Sequence, residues 1–284
     1  MVASLAHSGK AAAAIHKEDR ADMSEPNPAG VGGVEGYERL TLLGRGGTAT
    51  VYSAKRVGDG AAVVVKAFFP DEPMSAARQR RAAEQLVGVD GVLELLDHGT
   101  MEDGRPFIVS PFLAGGSLAD HLDRFGSMAP ERVADMGAQL ATALGKAHAS
   151  GILHRDLKPT NILFDENKNP LIMDFGLACD LSSDEHLTRT SQILGTPQFM
   201  PPEQAGEQNG KTDFRSDIYA LGAILYYTLR GVAPFTGASG LDVIQRVLND
   251  DPISPRADDK SIPRDLETIC LKCLQKDPHH RYPS

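Results

Sequence analysis

The segment HRDLKPTN, from His154 to Asn161, concentrates four ionisable side chains within five consecutive residues. Apolar residues flank it on both sides, as ASGIL before it and ILF after it, and Pro159 disfavours the interior of a helix. One interpretation is a solvated turn. The other is a catalytic loop, and that interpretation requires chemical partners elsewhere in the chain.

Suitable partners follow at short range. Asn161 comes five residues after Asp156, and Asp174 follows thirteen residues later, directly after the apolar run LIM that predicts a strand. A carboxamide and a carboxylate are hard oxygen ligands that suit Mg²⁺ shared with phosphate groups. Asp156 then remains free to accept a proton from an attacking hydroxyl, while Lys158 neutralises a transferring phosphoryl group.

A glycine-rich turn and a lysine lie upstream. In LGRGGTATVY (43–52), Gly44, Gly46 and Gly47 separate two strand patterns, where backbone N–H groups can approach an anion. A plain hairpin is the alternative. Lys66 lies within the apolar strand AVVVKAF and needs an anionic partner, because an unpaired buried charge costs several kcal/mol of stability. The alternative for Lys66 is an edge-strand lysine that reaches solvent.

Composition and charge limit the classes of function. The chain has 284 residues, enough for two lobes, and its net charge of −9 argues against non-specific nucleic-acid binding. Three cysteines are too few for a disulfide framework, and no apolar run is long enough to cross a membrane. We therefore expect a cytoplasmic chain without membrane contact of its own; an anchor beyond residue 284 stays compatible with this.

The pattern along the chain predicts three regions. Residues 1–36 are rich in Ala, Gly, Pro and charge and predict a disordered tail. Residues from about 37 to 113 predict antiparallel strands at 37–44, 48–57, 61–69, 92–99 and 105–112, with one helix at 75–88. Residues from about 114 to 284 carry mostly helical periodicity. The fold class is therefore α+β, with two lobes and a cleft between them.

The motifs GTPQFMPPE (195–203) and RSDIYALG (215–222) complete an ordered series. The series resembles that of the eukaryotic-like (Hanks-type) protein kinases, in particular the bacterial serine/threonine branch, from about Tyr37 to Ser284. This resemblance implies a bilobal kinase fold that uses ATP and Mg²⁺, for which Mn²⁺ can substitute. It also implies transfer of the γ-phosphoryl group to Ser or Thr hydroxyls of protein substrates.

The resemblance also implies residue roles. Asp156 would be the catalytic base, with Lys158 and Lys66 as phosphate-binding cations, and Asn161 and Asp174 would bind the metal. The positions that would contact the nucleotide are Leu43, Gly44, Gly46, Gly47, Val51, Val64, Lys66, Glu84, Ser110, Leu113 and Leu163.

The helix partner of Lys66 is expected to be Glu84, the only acidic residue between Glu72 and Asp90. A register counted back from the following strand points instead to Ala82. We choose Glu84 because a buried lysine needs a carboxylate. A solvated position on the helix surface is the alternative for this residue.

Regulatory and structural roles follow from the same resemblance. Thr188, Thr190 and Ser191 lie in a polar segment, where a phosphate would pair with Arg155. Thr188 and Thr190 are favoured over Ser191 as the site of the phosphate, and the sequence does not choose between these two. Self-association for autophosphorylation in trans would fit this arrangement.

Other residues are expected to support the site. Thr196 would lie at the substrate-facing turn, Glu203 would pair with Arg281, and Asp217 would hold the backbone of the catalytic loop. His154 is expected to bond backbone near Asp174. Cys270 and Cys273 form a C-x-x-C pattern inside an amphipathic helix, which favours core packing over metal binding.

Two other functions remain compatible with the motifs. One is a pseudokinase that binds ATP as a signalling module, and the other is a small-molecule phosphotransferase. Intact Lys66, Asp156, Asn161 and Asp174 argue against the first, and GTPQFMPPE with Asp217 argues against the second. The family usually continues into another helix beyond Arg281, so we expect the C-terminal end of the domain to be truncated.

Overall fold

The computed structural model describes residues 33–176, 197–206 and 212–284, and these residues form two lobes. The strands are β1 (Tyr37–Arg45), β2 (Ala49–Arg56), β3 (Ala62–Phe68), β4 (Asp97–Thr100), β5 (Pro106–Pro111), β6 (Ile162–Phe164) and β7 (Pro170–Ile172). The helices are α1 (Pro73–Gln85), α2 (Leu118–Phe125), α3 (Pro130–Ala149), α4 (Pro202–Ala205), α5 (Phe214–Arg230), α6 (Gly240–Asn249) and α7 (Arg264–Cys273). Strands β1 to β5 and α1 form the first lobe, and the remaining elements form the second.

The sheet of the first lobe has the strand order β1-β2-β3-β5-β4, and all neighbouring strands are antiparallel. Along β3, Val63, Val65 and Ala67 are buried, whereas Val64 and Lys66 are partly exposed. Successive side chains of a strand point to opposite faces. One face of this sheet therefore builds the core of the lobe, and the other face carries Lys66 into the cleft.

Helix α5 is the central helix of the second lobe, and α3 and α7 pack against it. The Asp213 carboxylate caps its first turn by accepting a 2.7 Å hydrogen bond from the Arg215 N–H. Gly231 ends the helix in the left-handed conformation, at φ 69°, where a side chain would add strain. Local sequence thus sets both ends of the helix around which the lobe packs.

The folded region begins earlier than the sequence pattern indicated. Val34 is 3% exposed and packs into the core of the first lobe with residues such as Val65 and Phe107. The Gly33 N–H donates to the Glu102 carboxylate at 3.0 Å. The core of the first lobe thus includes a residue of the expected tail, whereas residues 1–32 of that tail lie outside the described residues.

Strand β4 is shorter than predicted. The strand expected at 92–99 begins only at Asp97. Val92 instead bridges Ile172 in a parallel arrangement, and the Leu93 N–H donates to the Ile172 carbonyl at 2.9 Å. The apolar residues before Asp97 thus connect the first lobe to β7 of the second.

Cys270 and Cys273 lie buried on α7, as the interpretation of core packing expected. Burial raises the pKa of both thiols to about 12, so both stay protonated at neutral pH and are poor nucleophiles. Cys179 lies outside the described residues. Within the part of the chain that the structure describes, no helix is both long and apolar enough to span a bilayer.

Gly222 on α5 packs so closely on α7 that a Cβ built there would lie 2.3 Å from the Cys273 Cβ. Gly222→Ala is therefore expected to lower the free energy of unfolding by about 1–3 kcal/mol through overpacking. Gly145→Ala is the matched control, because Gly145 is also helical but nothing lies within 4 Å of its built Cβ. Urea denaturation measures both variants, and equal stability of the two would contradict the prediction.

Candidate active site

One row of residues crosses the cleft-facing side of the sheet. Gly44, Val51, Lys66 and Ile108 stand opposite one another in register on β1, β2, β3 and β5. At the end of this row the Gly46 N–H donates to the Ala49 carbonyl at 2.9 Å, which closes a tight turn between β1 and β2. The glycine-rich turn therefore lies at the end of the strands whose face carries Lys66.

The other positions expected to contact a nucleotide surround this row. Val64 and Ser110 pair two residues further along the sheet, on the same face as Lys66. Leu163 is buried on β6 and bridges Ser117, just beyond the connection that follows β5. The remaining expected contacts are the half-buried Leu43 and Leu113, and Gly47 in the turn.

Lys66 finds its anionic partner in Asp174. The Lys66 Nζ lies 2.8 Å from the Asp174 Oδ2, and each side chain is only 13% exposed. The requirement of a carboxylate for this lysine is met, although by a different residue from the one expected. This ion pair joins the sheet of the first lobe to the segment after β7 in the second.

The expected pair between Lys66 and Glu84 is wrong. Glu84 is 43% exposed and contacts Arg80 at 3.2 Å and His98 at 3.3 Å. The buried side of α1 instead carries Gln79 and Ala82. Five residues separate Glu84 from Gln79, which is a rotation of about 140° round a helix, so Glu84 points away from the sheet.

The catalytic loop holds the other expected residues together. The Asp156 Oδ2 lies 2.9 Å from the Lys158 Nζ, and the Asn161 Nδ2 donates to the Asp156 carbonyl at 2.7 Å. The Asn161 carbonyl accepts a 2.9 Å hydrogen bond from the Met173 N–H. Because Met173 directly precedes Asp174, these bonds bring Asp156, Asn161 and Asp174 to one place.

Two residues of this site have left-handed backbone. Arg155 has φ 65° and Asp174 has φ 64°, a conformation that non-glycine residues rarely adopt. Such residues cost about 1–3 kcal/mol each and persist only where their surroundings hold them. The ring of His154, as expected, bonds backbone near Asp174, because its Nε2 lies 2.9 Å from the Met173 carbonyl oxygen.

Asp217, in the first turn of α5, binds the backbone of the loop that contains Arg155 and Asp156. Its carboxylate is 1% exposed and accepts hydrogen bonds from the N–H groups of His154 at 2.9 Å and Arg155 at 2.8 Å. The His148 Nε2 lies 2.8 Å from the same carboxylate. A single buried anion thus anchors the loop that carries Asp156.

Glu203 and Arg281 form the expected pair through two bonds of 2.7 Å. The Arg281 side chain is fully buried, and Ser216 donates to the same carboxylate at 2.8 Å. Burial alone would raise the pKa of the Glu203 carboxyl, but the Arg281 guanidinium outweighs it and holds the pKa below its usual range.

This pair predicts a loss of stability in acid. A carboxyl whose pKa is lowered in the folded state contributes stability at neutral pH and loses it as pH falls through the carboxyl range. We expect the free energy of unfolding to fall more between about pH 7 and about pH 3 in the wild type than in a Glu203→Gln/Arg281→Met double variant. Denaturation at a series of pH values measures both curves.

The matched control is the exposed pair of Arg80 and Glu84. An Arg80→Met/Glu84→Gln double variant should keep the wild-type dependence on pH, because exposed pairs contribute little. Parallel curves for the wild type and the Glu203/Arg281 variant would contradict the prediction.

The donor set fits a magnesium ion that is shared with a substrate. Asn161 uses its Nδ2 as a donor, which leaves its side-chain oxygen free to accept, and its backbone carbonyl bonds the N–H of Met173, the residue before Asp174. In the described ranges, no group of three or more His, Cys, Asp or Glu side chains is placed to hold a metal. Magnesium is typically bound by one or two protein oxygen ligands together with substrate phosphates.

The expected regulatory hydroxyls of Thr188, Thr190 and Ser191, and the turn residue Thr196, lie outside the described residues. Their expected partner is placed. The buried Nε of Arg155 has no hydrogen-bond partner among the described residues. Arg155 lines a cavity of about 70 Å³ together with Lys158, Met200 and Gln204.

A larger cavity lies away from these residues. It has a volume of about 740 Å³ and is lined by the turn after α1, part of α3 and the loop before β7, including Asp90, Lys146 and Asn169. None of the expected site residues lines it. The assignment of the site therefore rests on the geometry in the cleft.

The sequence interpretation missed Gln79. This residue is 2% exposed and lies on the side of α1 that faces the sheet. Among the buried residues of that helix, it is the one whose side chain is a carboxamide. Ser75, Ala76, Gln79 and Ala82 recur at helical spacing, which is a signal that marks the inward face. Gln79 carries no charge, so the need of Lys66 for a carboxylate did not indicate it.

Comparison with known proteins agrees with this geometry. The chain matches the family model of the protein kinase domain over residues 37–283. The chain therefore belongs to the protein kinase family. Its two lobes, its five-stranded antiparallel sheet and its ordered motifs are those expected of that family.

Curated proteins that are similar to this chain include bacterial serine/threonine-protein kinases. PknB of Mycobacterium tuberculosis is 35% identical over 255 residues, which cover 87% of this chain and 40% of that protein. The corresponding values are 34% over 251 residues, 87% and 38% for PrkC of Bacillus subtilis. They are 36% over 258 residues, 87% and 38% for the probable kinase SCO3848 of Streptomyces coelicolor. The chain thus represents the bacterial serine/threonine branch and spans about two fifths of these relatives' length.

Proposed function

We propose that this chain transfers the γ-phosphoryl group of ATP to serine or threonine hydroxyls of protein substrates. The observation that carries the proposal is the convergence of Asp156, Asn161 and Asp174 opposite Lys66, which contacts Asp174 at 2.8 Å. These groups match the parts that phosphoryl transfer requires: a base, cations and oxygen ligands in fixed positions.

Each residue has a separate task. Asp156, 42% exposed, accepts the proton of the attacking hydroxyl, and Lys158 beside it stabilises the charge that develops on the phosphoryl oxygens. Lys66 binds the α- and β-phosphates, and the glycine-rich turn covers the phosphates. The adenine lies between Val51 and Val64 above and Leu163 below, near Ser110 and Leu113.

Magnesium, for which manganese can substitute, would be held by Asn161 and Asp174. When bound, it neutralises phosphate charge. The orientation of these two side chains is the contribution of the protein itself. Asn161 is oriented by its bond to the Asp156 carbonyl, and Asp174 by its strained backbone and by Lys66.

Regulation through the polar segment is part of the same proposal. A phosphate on Thr188, Thr190 or Ser191 would offer an anion to Arg155, whose buried Nε lacks a partner among the described residues. Phosphorylation of one copy by another, in the cytoplasm, would supply that phosphate. Thr196 would then stand at the turn that meets the substrate peptide.

Mass spectrometry of phosphatase-treated protein incubated with Mg·ATP and casein tests the function. New phosphoserine or phosphothreonine on casein or on residues 188–191 is expected with the wild type and not with Asp156→Asn. ATP binding without phosphate on either protein would refute the proposal and favour a nucleotide-binding signalling module. Phosphate on a small-molecule alcohol alone would favour the small-molecule phosphotransferase.

A further inference from the structure

Helix α1 carries a buried amide that the described contacts do not use. Gln79 is 2% exposed, and neither its Oε1 nor its Nε2 has a hydrogen-bond partner in residues 33–176, 197–206 or 212–284. Leaving a buried polar group unpaired destabilises a fold, so native structures rarely contain one. An unpaired amide of this kind points to a partner that binds in another state of the site.

The position of Gln79 identifies that partner. Three residues before it, Ala76 packs with Phe68 and Ile108, and Ile108 stands directly opposite Lys66 in the sheet. Three residues after it, Ala82 packs on Gly176, whose built Cβ would lie 3.2 Å from the Ala82 Cβ.

Each helical residue adds a rise of about 1.5 Å. Gln79 therefore stands midway between the strand that carries Lys66 and the segment that carries Asp174. These are the two elements that the Lys66–Asp174 ion pair connects.

The charges around the pair give the amide a task. The buried face of α1 consists of Ser75, Ala76, Gln79 and Ala82 and so contains no carboxylate. Lys66 consequently takes Asp174 as its acceptor. The proposed function requires Asp174 as a metal ligand, and Lys66 then needs another hydrogen-bond acceptor.

We propose that Gln79 is a positioning residue of the nucleotide site. When Asp174 binds the metal and releases Lys66, the side-chain carbonyl of Gln79 accepts a hydrogen bond from the Lys66 ammonium. This bond keeps Lys66 in position to contact the phosphates. This role rests on the proposed function. A neutral amide is a weaker acceptor for an ammonium than a carboxylate is. The Lys66–Asp174 pair therefore competes with the binding of magnesium to Asp174, and the chain requires a higher magnesium concentration.

Two substitutions test this role, each with a matched control on the exposed end of the same helix. Gln79→Leu removes the acceptor at nearly constant volume, and Gln79→Glu replaces it with a carboxylate. Gln85→Leu and Gln85→Glu make the same changes at an exposed position. Calorimetry measures the affinity for a non-hydrolysable ATP analogue over a magnesium titration, and thermal unfolding without nucleotide reports the fold.

Gln79→Leu is expected to weaken the affinity for the magnesium–analogue complex about tenfold. Its Tm without nucleotide should rise, because an unpaired buried amide is removed. Gln79→Glu is expected to lower the magnesium concentration at half-saturation about tenfold. In the phosphorylation assay, the KM for ATP should change more than kcat, and the Gln85 variants should match the wild type.

A merely structural role would lower the Tm of Gln79→Leu and leave affinity and magnesium dependence unchanged, which would overturn the proposal. Should Gln79→Glu fail to fold, unchanged affinity in Gln79→Leu would still refute it. If the wild type binds the analogue and the Gln79 variants bind it with the same affinity and magnesium dependence, only this role of Gln79 is refuted. Absence of analogue binding by the wild type refutes the proposed function and this role with it.

Discussion

Replacing Asp156 by asparagine is expected to lower kcat for protein phosphorylation by about 10²- to 10⁴-fold, the range for loss of a general base. The Asp156 carboxylate is 42% exposed and lies 2.9 Å from the Lys158 Nζ, at the edge of the site where a hydroxyl can approach. Asparagine has nearly the same shape but cannot accept the proton. Initial rates at saturating Mg·ATP measure the effect.

Binding and folding should survive this change. The Asp156 backbone carbonyl still accepts the Asn161 amide, so affinity for nucleotide and the Tm are expected to stay at wild-type values. Asp251→Asn, in the exposed loop after α6, is the matched control and should leave kcat unchanged. A wild-type rate in Asp156→Asn would remove Asp156 from the mechanism.

Asp217→Asn is expected to lower the free energy of unfolding by about 3 kcal/mol, because buried N–H donors lose a charged acceptor. The carboxylate accepts bonds from the His154 and Arg155 N–H groups and lies 2.8 Å from the His148 ring. The asparagine side chain of this variant has one acceptor oxygen, and its NH₂ group faces N–H donors with which it cannot form a hydrogen bond. Urea denaturation measures the loss.

The same substitution should also lower kcat, since Asp217 holds the left-handed backbone of Arg155, at φ 65°, directly before Asp156. The exposed Asp135→Asn on α3 is the matched control for both measurements. A variant with wild-type stability would show that the loop holds its strained conformation without this anion.

Much of the candidate site could be predicted from sequence because its motifs are local. In HRDLKPTN, the bonds that orient Asn161 and place Lys158 beside Asp156 are made within six residues. The apolar pattern of AVVVKAF likewise predicted that Lys66 lies on a strand and pairs with an anion, as it does in the structure. Short-range geometry of this kind leaves few alternatives.

The partner of Lys66 shows where prediction from sequence failed. The need of Lys66 for a carboxylate favoured Glu84, the only acidic residue between Glu72 and Asp90, whereas the structure supplies Asp174 from 108 residues away. Which side of α1 meets the sheet depends on how the helix packs against β3 and β5. The helical spacing of Ser75, Ala76, Gln79 and Ala82, and not charge, marks the side of α1 that faces inward.

The amino-acid sequence by itself determined the family, the two lobes and the order of the site residues, because these depend on local spacing and on hydrophobic alternation. Only the tertiary structure decided that Lys66 pairs with Asp174, that Val34 belongs to the core, and that Gln79 lies buried with no hydrogen-bond partner among the described residues. The physical reason is that ion pairing and burial depend on distances between elements that are remote in the chain. Those distances are set by how all the helices and strands pack together.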